Sequence, residues 1–320
     1  MYTSNPNQSP TANRGWQRTF QRGKLTLGIM FPIEAFERDQ PTMHNQVALA
    51  QFAEKSGFAS LGFRDVPLLD PNFGDVGQVF DPWAYLGYMA AQTSEIALLT
   101  ASIILPLRHP IHIAKAAASI DQLSNGRLLL GIATGDRVVE FPAFNVDFES
   151  RGAMFREEFE LLKIYWSEYF PQVSSGFGHL QGADVIPKPL ASHVPLLVTG
   201  HSQQDLSWIA RNADGWMSYP RSIEAQAQIV QRWRDSVEAE LPGQYKPFTQ
   251  SYFIDLADNP NEAPTPIHLG HRLGRNALLV HLRASKRIGV DHLIFNVKYG
   301  KRPADEVLQE LAEFVLPEFV

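Results

Sequence analysis

Leu196-Leu197-Val198-Thr199-Gly200-His201-Ser202-Gln203-Gln204-Asp205 is the stretch from which the rest of the chain can be read. An apolar run suited to a buried strand meets a glycine. A capping pair follows, Ser202 as N-cap with Asp205 three residues on, so a strand hands over directly to a helix. Free backbone amides and the positive end of a helix dipole at such a turn form an anion site, and Gly200 lets a phosphate approach the backbone closely. An ordinary capped helix has the same local sequence, so the surrounding fold must decide between the two.

Outward from this turn the same unit repeats in both directions. Upstream, residues 25–31, 59–63, 96–105 and 128–134 are short apolar runs. Helical patterns follow them in turn. One covers residues 42–56 with Gly57 as its C-cap, and one opens at Asp81-Pro82 and ends near residue 93. Another lies near 112–123, with Ile113, Ala117 and Ile120 on one face, and the next carries Phe155, Phe159, Leu162 and Trp166. Downstream, strands at 215–219, 249–256 and 292–297 alternate with a helix bearing Ile223, Val230, Trp233 and Val237, one near 276–288 closed by Gly289, and one after Pro303. Strands that are continuously apolar predict a parallel sheet buried on both faces. Eight of them, each followed by a helix, predict an α/β fold closed as a (β/α)8 TIM-type barrel over residues 24–320, with a doubly wound sheet as the alternative. Residues 1–23 are polar and rich in turn formers, and are expected to be a flexible arm or to pack on a partner subunit. The long connections at 65–80, 170–188, and 242–248 with 259–269 are candidate binding loops; the second starts at the rim opposite the catalytic face.

Composition narrows the function. The 320 residues, 44% hydrophobic and 19% charged, suit a large core and argue against disorder. A net charge of −6 without a clustered basic stripe excludes nucleic acid as the expected partner. No apolar run is long enough to span a membrane and the first residues are polar, so a cytoplasmic protein is expected. The absence of cysteine removes disulfides, thiolate metal sites and a cysteine nucleophile, and fits a reducing compartment. Neither GxGxxG nor a P-loop occurs, so a ligand must be held in another way.

Chemistry-bearing residues cluster after the predicted strands. In Thr100-Ala101-Ser102-Ile103-Ile104-Leu105-Pro106-Leu107-Arg108-His109-Pro110, small side chains near a strand end let a flat ring lie on the backbone. Arg108 and His109 suit either an anion or a helix cap. His109 and His112 have no third ligand nearby, so no metal site is expected. Leu130-Gly131-Ile132-Ala133-Thr134-Gly135-Asp136-Arg137 ends a strand in a small polar turn. Arg64 and Asp65 close the second strand, and Asp136 with Glu140 follows the fourth. Paired carboxylates across a barrel mouth would also suit a glycosidase.

Several of these segments resemble the bacterial luciferase-like monooxygenase superfamily. The likeness is carried by residues 106–110, Ala114-Lys115, Asp121-Gln122-Leu123-Ser124-Asn125-Gly126-Arg127, Leu130-Gly131, Glu140-Phe141-Pro142-Ala143-Phe144, residues 148–151 and Ala213-Asp214-Gly215-Trp216. Arg64-Asp65-Val66-Pro67 with Gly135-Asp136-Arg137 is similar to an uncharacterised luciferase-type subgroup. The resemblance implies a TIM-type barrel that uses reduced FMN or, in some branches, coenzyme F420, assembled as a homodimer or larger oligomer such as a tetramer. By motif position Gly200, His201 and Ser202 would hold the phosphate, Thr100, Ala101 and Ser102 would back the isoalloxazine, and Thr134 with Gly135 would lie close to it. A non-proline cis peptide near Ala101-Ser102 is a family habit.

Two departures redirect the expected activity. A histidine that ends the second strand in luciferase gives way here to Val66 and Pro67, and a phosphate-contacting arginine after the fourth strand is replaced by Thr134. Light emission and aldehyde oxidation are therefore not expected. What remains is oxygen insertion into another small organic substrate, with electrons from a flavin reductase or NAD(P)H, or hydride transfer through F420, or a flavin-binding barrel without catalysis. Asp65, Asp136 and Arg137 are the candidate catalytic groups, and loop 65–80 is a candidate cover.

Overall fold

A computed structural model describes residues 12–319 except 38 and 74. The barrel strands are β1 Thr26–Met30, β2 Ser60–Phe63, β3 Ala97–Thr100, β4 Leu128–Ala133, β5 Leu196–Thr199, β6 Gly215–Ser218, β7 Phe248–Leu256 and β8 His292–Asn296. Each pairs in parallel with the next, and β8 returns to β1, with Thr26 opposite His292 and Ile29 opposite Phe295. The sheet is therefore a closed parallel barrel of eight strands, as the alternating pattern predicts. Helices α1 Gln46–Ser56, α2 Pro82–Gln92, α3 Pro110–Leu123, α4 Arg151–Ser167, α5 Leu206–Asn212, α6 Ile223–Glu240, α7 Arg275–Arg287 and α8 Ala304–Glu310 follow the strands in turn.

Alternation along each strand divides the core in two. Leu98, Leu128, Leu130, Leu196, Val198, Leu293 and Phe295 join the large cluster that also contains the helix side chains. Met30, Ala97, Leu99, Leu129, Leu197, Met217 and Ile294 form a second cluster together with Trp16 and Phe20. That second cluster fills the barrel itself.

Trp16 and Phe20 correct an expectation. Residues 14–19, assigned to a flexible arm, form a helix whose N-cap Asn13 accepts from the Trp16 amide, and both aromatic rings are buried in the barrel cluster. Asn13 also donates to Asp121 and to the Leu128 carbonyl, each at 3.1 Å. The short helix thus plugs the barrel by hydrophobic burial. The arm expectation for residues 1–11 lies outside the described residues.

Smaller differences concern boundaries. Helix α1 starts at Gln46 rather than at 42, because Met43 and Asn45 adopt left-handed backbone (φ 59° and 57°), while Gly57 caps it as expected at φ 98°. Asp81 and Pro82 open α2 as read, with Asp81 accepting from the Trp83 and Ala84 amides. Two antiparallel hairpins occupy long connections, Val173–Ser175 with Gly178–Leu180 and Thr265–Ile267 with Gly270–Leu273; the latter also runs alongside β7. Among the described residues, no helix is long and apolar enough to cross a membrane.

Candidate active site

The site begins with an irregularity between β3 and β4. Leu99 pairs with Leu129 and Ile103 with Ile132, a step of four residues on one side against three on the other, so Thr100–Ser102 bulge from the ladder. Gly131 makes room for the bulge: a Cβ there would stand 2.0 Å from the Thr100 carbonyl oxygen. Thr100 is fully buried and its hydroxyl donates to the Gly131 carbonyl at 2.7 Å. The peptide between Ala101 and Ser102 is cis, as expected. Ala101 lines a cavity, and the Ser102 hydroxyl is hydrogen bonded to that of Thr199 at the end of β5.

This cavity, of about 460 Å³, opens where the strands end, the face that carries chemistry in such barrels. Met30, Ala101, Met217 and Ile294 contribute the apolar part of its lining; the polar part includes Asp136, Tyr219, Asn296 and Tyr299. Loop 65–80 supplies Phe73 and Asp75, and the hairpin beside β7 supplies His268. A larger hollow of about 630 Å³ lies between residues 33–49 and 300–305. Two of its charged groups are answered internally: Glu34 accepts the Thr42 and Met43 amides, and Arg302 pairs with Asp258 and Glu310. Volume alone does not locate the chemistry, and the smaller cavity is the one the bulge and strand ends build.

Loop 65–80 is held by ion pairs. Arg64 reaches Asp75 through both guanidinium nitrogens, at 2.9 and 2.5 Å, and Lys298 stands 3.7 Å from the same carboxylate. Burial by itself would raise the Asp75 pKa, but Arg64, the Gly77 amide and Lys298 more than offset it and hold it below the ordinary carboxylate range. Arg137 donates to the Asp75 carbonyl at 2.7 Å and lies over the Phe73 ring at 3.9 Å. Beneath them Glu140 is fully buried, and desolvation pushes its carboxyl up to about 7 against the opposing pull of Arg137.

The turn after β5 differs from its expected form. The capping pair is not formed, because Gly200, Ser202 and Gln203 take positive φ (57°, 45° and 57°) and α5 starts only at Leu206. Asp205 is the N-cap, accepting from the Trp208 amide at 2.6 Å, while the Ser202 hydroxyl donates to the Thr199 carbonyl at 2.8 Å. Trp216 braces the turn by donating to the Gly200 carbonyl at 2.6 Å, and its ring packs edge-on against His201. Among the described residues, the His201, Ser202 and Gln203 amides donate to no backbone carbonyl. Gly200 and His201 line a second cavity of about 330 Å³ together with Trp216, Arg221 and Arg232. Ser218, Tyr219 and Arg221 line both cavities, which are therefore neighbours.

The candidate residues therefore separate. Ala101 and Asp136 reach the main cavity, and Gly200 and His201 the adjoining one. Thr134 is buried, and Gly135, at φ 81°, packs beneath Ile104 and Phe141; neither is among the cavity-lining residues. Asp65 stands apart from them: its fully buried side chain binds Arg108 at 2.8 and 3.1 Å and accepts the Ile104 amide, outside the lining of the main cavity. Arg137 is likewise occupied with loop 65–80 and stands outside that lining. The glycosidase reading loses its carboxylate pair with Asp65. Sequence reasoning missed Met217, Tyr219, Arg221, Phe253, Asn296 and Tyr299, although the places of all but Phe253 at or just beyond the ends of β6 and β8 were available as a signal.

The closed parallel barrel, its bulged third strand and the cavity over it make this an α/β-barrel protein of the TIM type, and comparison with known proteins gives its family. Residues 25–279 match the luciferase-like monooxygenase family model, so the chain belongs to that family. An uncharacterised protein of Mycobacterium tuberculosis is 33% identical over 198 residues, 57% of this chain and 70% of its own length. An F420-dependent hydroxymycolic acid dehydrogenase of the same species is 27% identical over 201 residues, 62% of this chain and 53% of its own. In three dimensions the chain is similar to monooxygenase RslO1 from Streptomyces bottropensis, with TM-score 0.78, 20% identity, and coverage of 92% and 100%. It is also similar to the oxygenating constituent of 3,6-diketocamphane monooxygenase of Pseudomonas putida, solved with FMN, with TM-score 0.71, 13% identity, and coverage of 93% and 99%.

Proposed function

We propose that this chain is an FMN-dependent monooxygenase acting on a small organic substrate. The observation that carries the reading is the pair of neighbouring cavities, one apolar over Ala101 and Met217 and the other at the turn of Gly200, with Ser218 and Tyr219 lining both. A flat ring joined to a phosphoryl tail is complementary to that shape and polarity. Ala101, Ser102, Met217 and Ile294 would back the ring, and the His201, Ser202 and Gln203 amides would meet the phosphate. Bound and reduced, the cofactor supplies the electron pair for oxygen chemistry. The chain's own part is to orient ring and substrate and to exclude water, with Phe73 and loop 65–80 as the cover. Asp136, exposed at the rim, is the carboxylate able to move a proton beside the substrate.

Reduced flavin from a separate reductase, or NAD(P)H directly, would feed the reaction, in a cytoplasmic homo-oligomer. Hydride transfer through F420 is the second reading, favoured by the likeness to the mycobacterial F420-dependent dehydrogenase. Fluorescence titration of the purified protein with FMN and F420, each oxidised and reduced, separates the two. Saturable binding of FMN, and substrate-dependent consumption of its reduced form, are expected; binding of neither cofactor overturns the reading.

A further inference from the structure

We propose that Asn296 is the group that recognises the substrate, donating to a neutral hydrogen-bond acceptor carried on an otherwise apolar molecule. The inference deepens the monooxygenase reading and rests on it for the place of the flavin ring.

Asn296 is the last residue of β8, is 3% exposed, and lines the main cavity. Its side chain is oriented from within the chain, because the Lys298 amide donates to Oδ1 at 3.0 Å. A backbone N–H needs an acceptor, so this contact fixes which end of the carboxamide is oxygen. The Nδ2 group is left to point elsewhere, and it donates to no other group among the described residues. A buried amide group without an acceptor is costly, and the cavity is the open volume in which one can be met. Ser251, Tyr219 and Tyr299 line the same cavity, but a hydroxyl rotates to donate or to accept. Asn296, with its oxygen already engaged, can only donate.

Position gives the donor a direction. Alternation puts Ile294 and Asn296 on one face of β8, with Ile294 in the cluster that fills the barrel and Asn296 one step nearer the mouth. A ring backed by Ile294 therefore leaves Asn296 beside the space above it, where the substrate would lie. In register, Phe253 of β7 stands next to Asn296 and supplies an apolar neighbour. Strands β4 and β8 are half the barrel apart, so Asn296 and Asp136, which follows β4, line the cavity from opposite sides. An acceptor held by Asn296 thus fixes which part of the substrate is turned toward Asp136. The lining carries two carboxylates, Asp75 and Asp136, against two guanidinium groups, Arg64 and Arg221, and offers an anion no net attraction. A neutral oxygen on an apolar body suits it better than a charged group.

The test uses the full-length protein loaded with FMN, as wild type, Asn296→Ala and Asn296→Asp. The aspartate variant keeps an acceptor for the Lys298 amide and puts a second acceptor where the free donor was. Thermal unfolding checks that each variant is folded. Cyclohexanone and methylenecyclohexane, which share a shape and differ in the exocyclic oxygen, are titrated by calorimetry. The ratio of ketone to hydrocarbon affinity is expected to fall about fivefold or more in each folded variant, with hydrocarbon and FMN affinities unchanged. A ratio that stays the same in the folded variants, or binding of neither probe by the wild type, overturns the assignment and leaves the flavin reading standing. A tenfold fall in FMN affinity with the ratio unaltered also overturns it, by giving Asn296 to the cofactor. Should the protein bind no FMN, the flavin reading falls and the same titrations on the unloaded chain decide: a ratio lowered in Asn296→Asp supports the acceptor site, and an unaltered ratio overturns it as well.

Discussion

Arg64, Arg108 and Arg137 crowd the β2–β4 side of the barrel mouth and each meets an acceptor from the fold, whereas Arg221 and Arg232 on the β5–β6 side meet no carboxylate. On the first side the charges are spent on architecture: they hold loop 65–80 across the mouth and fix the strand extension that carries Ala101 toward the cavity. On the second side the amides of residues 201–203 stand open. A charge already answered within the protein cannot also answer a ligand without breaking what it holds. The contrast assigns the wall to one rim and anion binding to the other, and it can be broken by experiment.

The largest effect is expected from Asp65→Ala. It leaves Arg108 without its partner and the Ile104 amide without an acceptor in a buried setting. Because Arg108 is 24% exposed, the loss should fall toward the lower end for a broken buried pair, roughly 3 kcal/mol, read by denaturant unfolding. An Asp65→Ala protein of normal stability that has lost only turnover would make Asp65 a catalytic group and remove the contrast.

Next comes a pH-dependent effect at Glu140. Its folded-state value of about 7 lies above the ordinary glutamate value, so the folded state binds more protons between the two, and stability falls as pH rises through that window. Glu140→Gln abolishes this slope. Relative to wild type it should be more stable at pH 8 than at pH 5 by roughly 2 kcal/mol. Parallel stability curves at both pH values would show that Glu140 is not buried under the loop.

Arg137→Met should release loop 65–80 at a cost of about 1 kcal/mol, since a single hydrogen bond and one ring contact are lost. Faster limited proteolysis within residues 65–80 and a raised KM are the expected signs, with cofactor affinity little changed. The Asp75 clamp beside it carries the opposite pH sign to Glu140. Its depressed carboxyl contributes fully above the ordinary aspartate value and is lost only as pH falls beneath that value.

Asp136→Asn is expected to move stability least, within about 0.5 kcal/mol, because the residue is exposed. Turnover with reduced flavin should nevertheless fall by about tenfold or more. Unchanged turnover would mean that the proton is handled elsewhere, and absence of turnover in wild type would favour a binding barrel without catalysis.

The two rims were also unequally legible in the sequence. Most of the strands could be read because a strand buried on both faces is predominantly apolar, a signal that survives without any partner being known; β7, with Gln250, Ser251 and Asp255, was read from its place in the alternation. The short helix of Trp16 and Phe20 escaped, since two aromatic residues among polar neighbours show their purpose only once a barrel end needs filling. The turn at Gly200 was located correctly but misdrawn. Ser202 and Asp205 have the spacing of a capping pair, and nothing local reveals that Ser202 and Gln203 turn left-handed. The ion pair of Asp65 was not legible because its partner Arg108 lies 43 residues away. Arg221 and Arg232 went unremarked for a related reason: what distinguishes them is a missing partner, visible only in three dimensions.

The most direct test of this assignment is a crystal structure of the protein soaked with FMN. The phosphate should lie against the amides of residues 201–203, with the ring extending over Ala101 and Met217 beneath Phe73. An ordered FMN whose phosphate points instead toward loop 65–80, or whose ring lies away from Ala101, would contradict it.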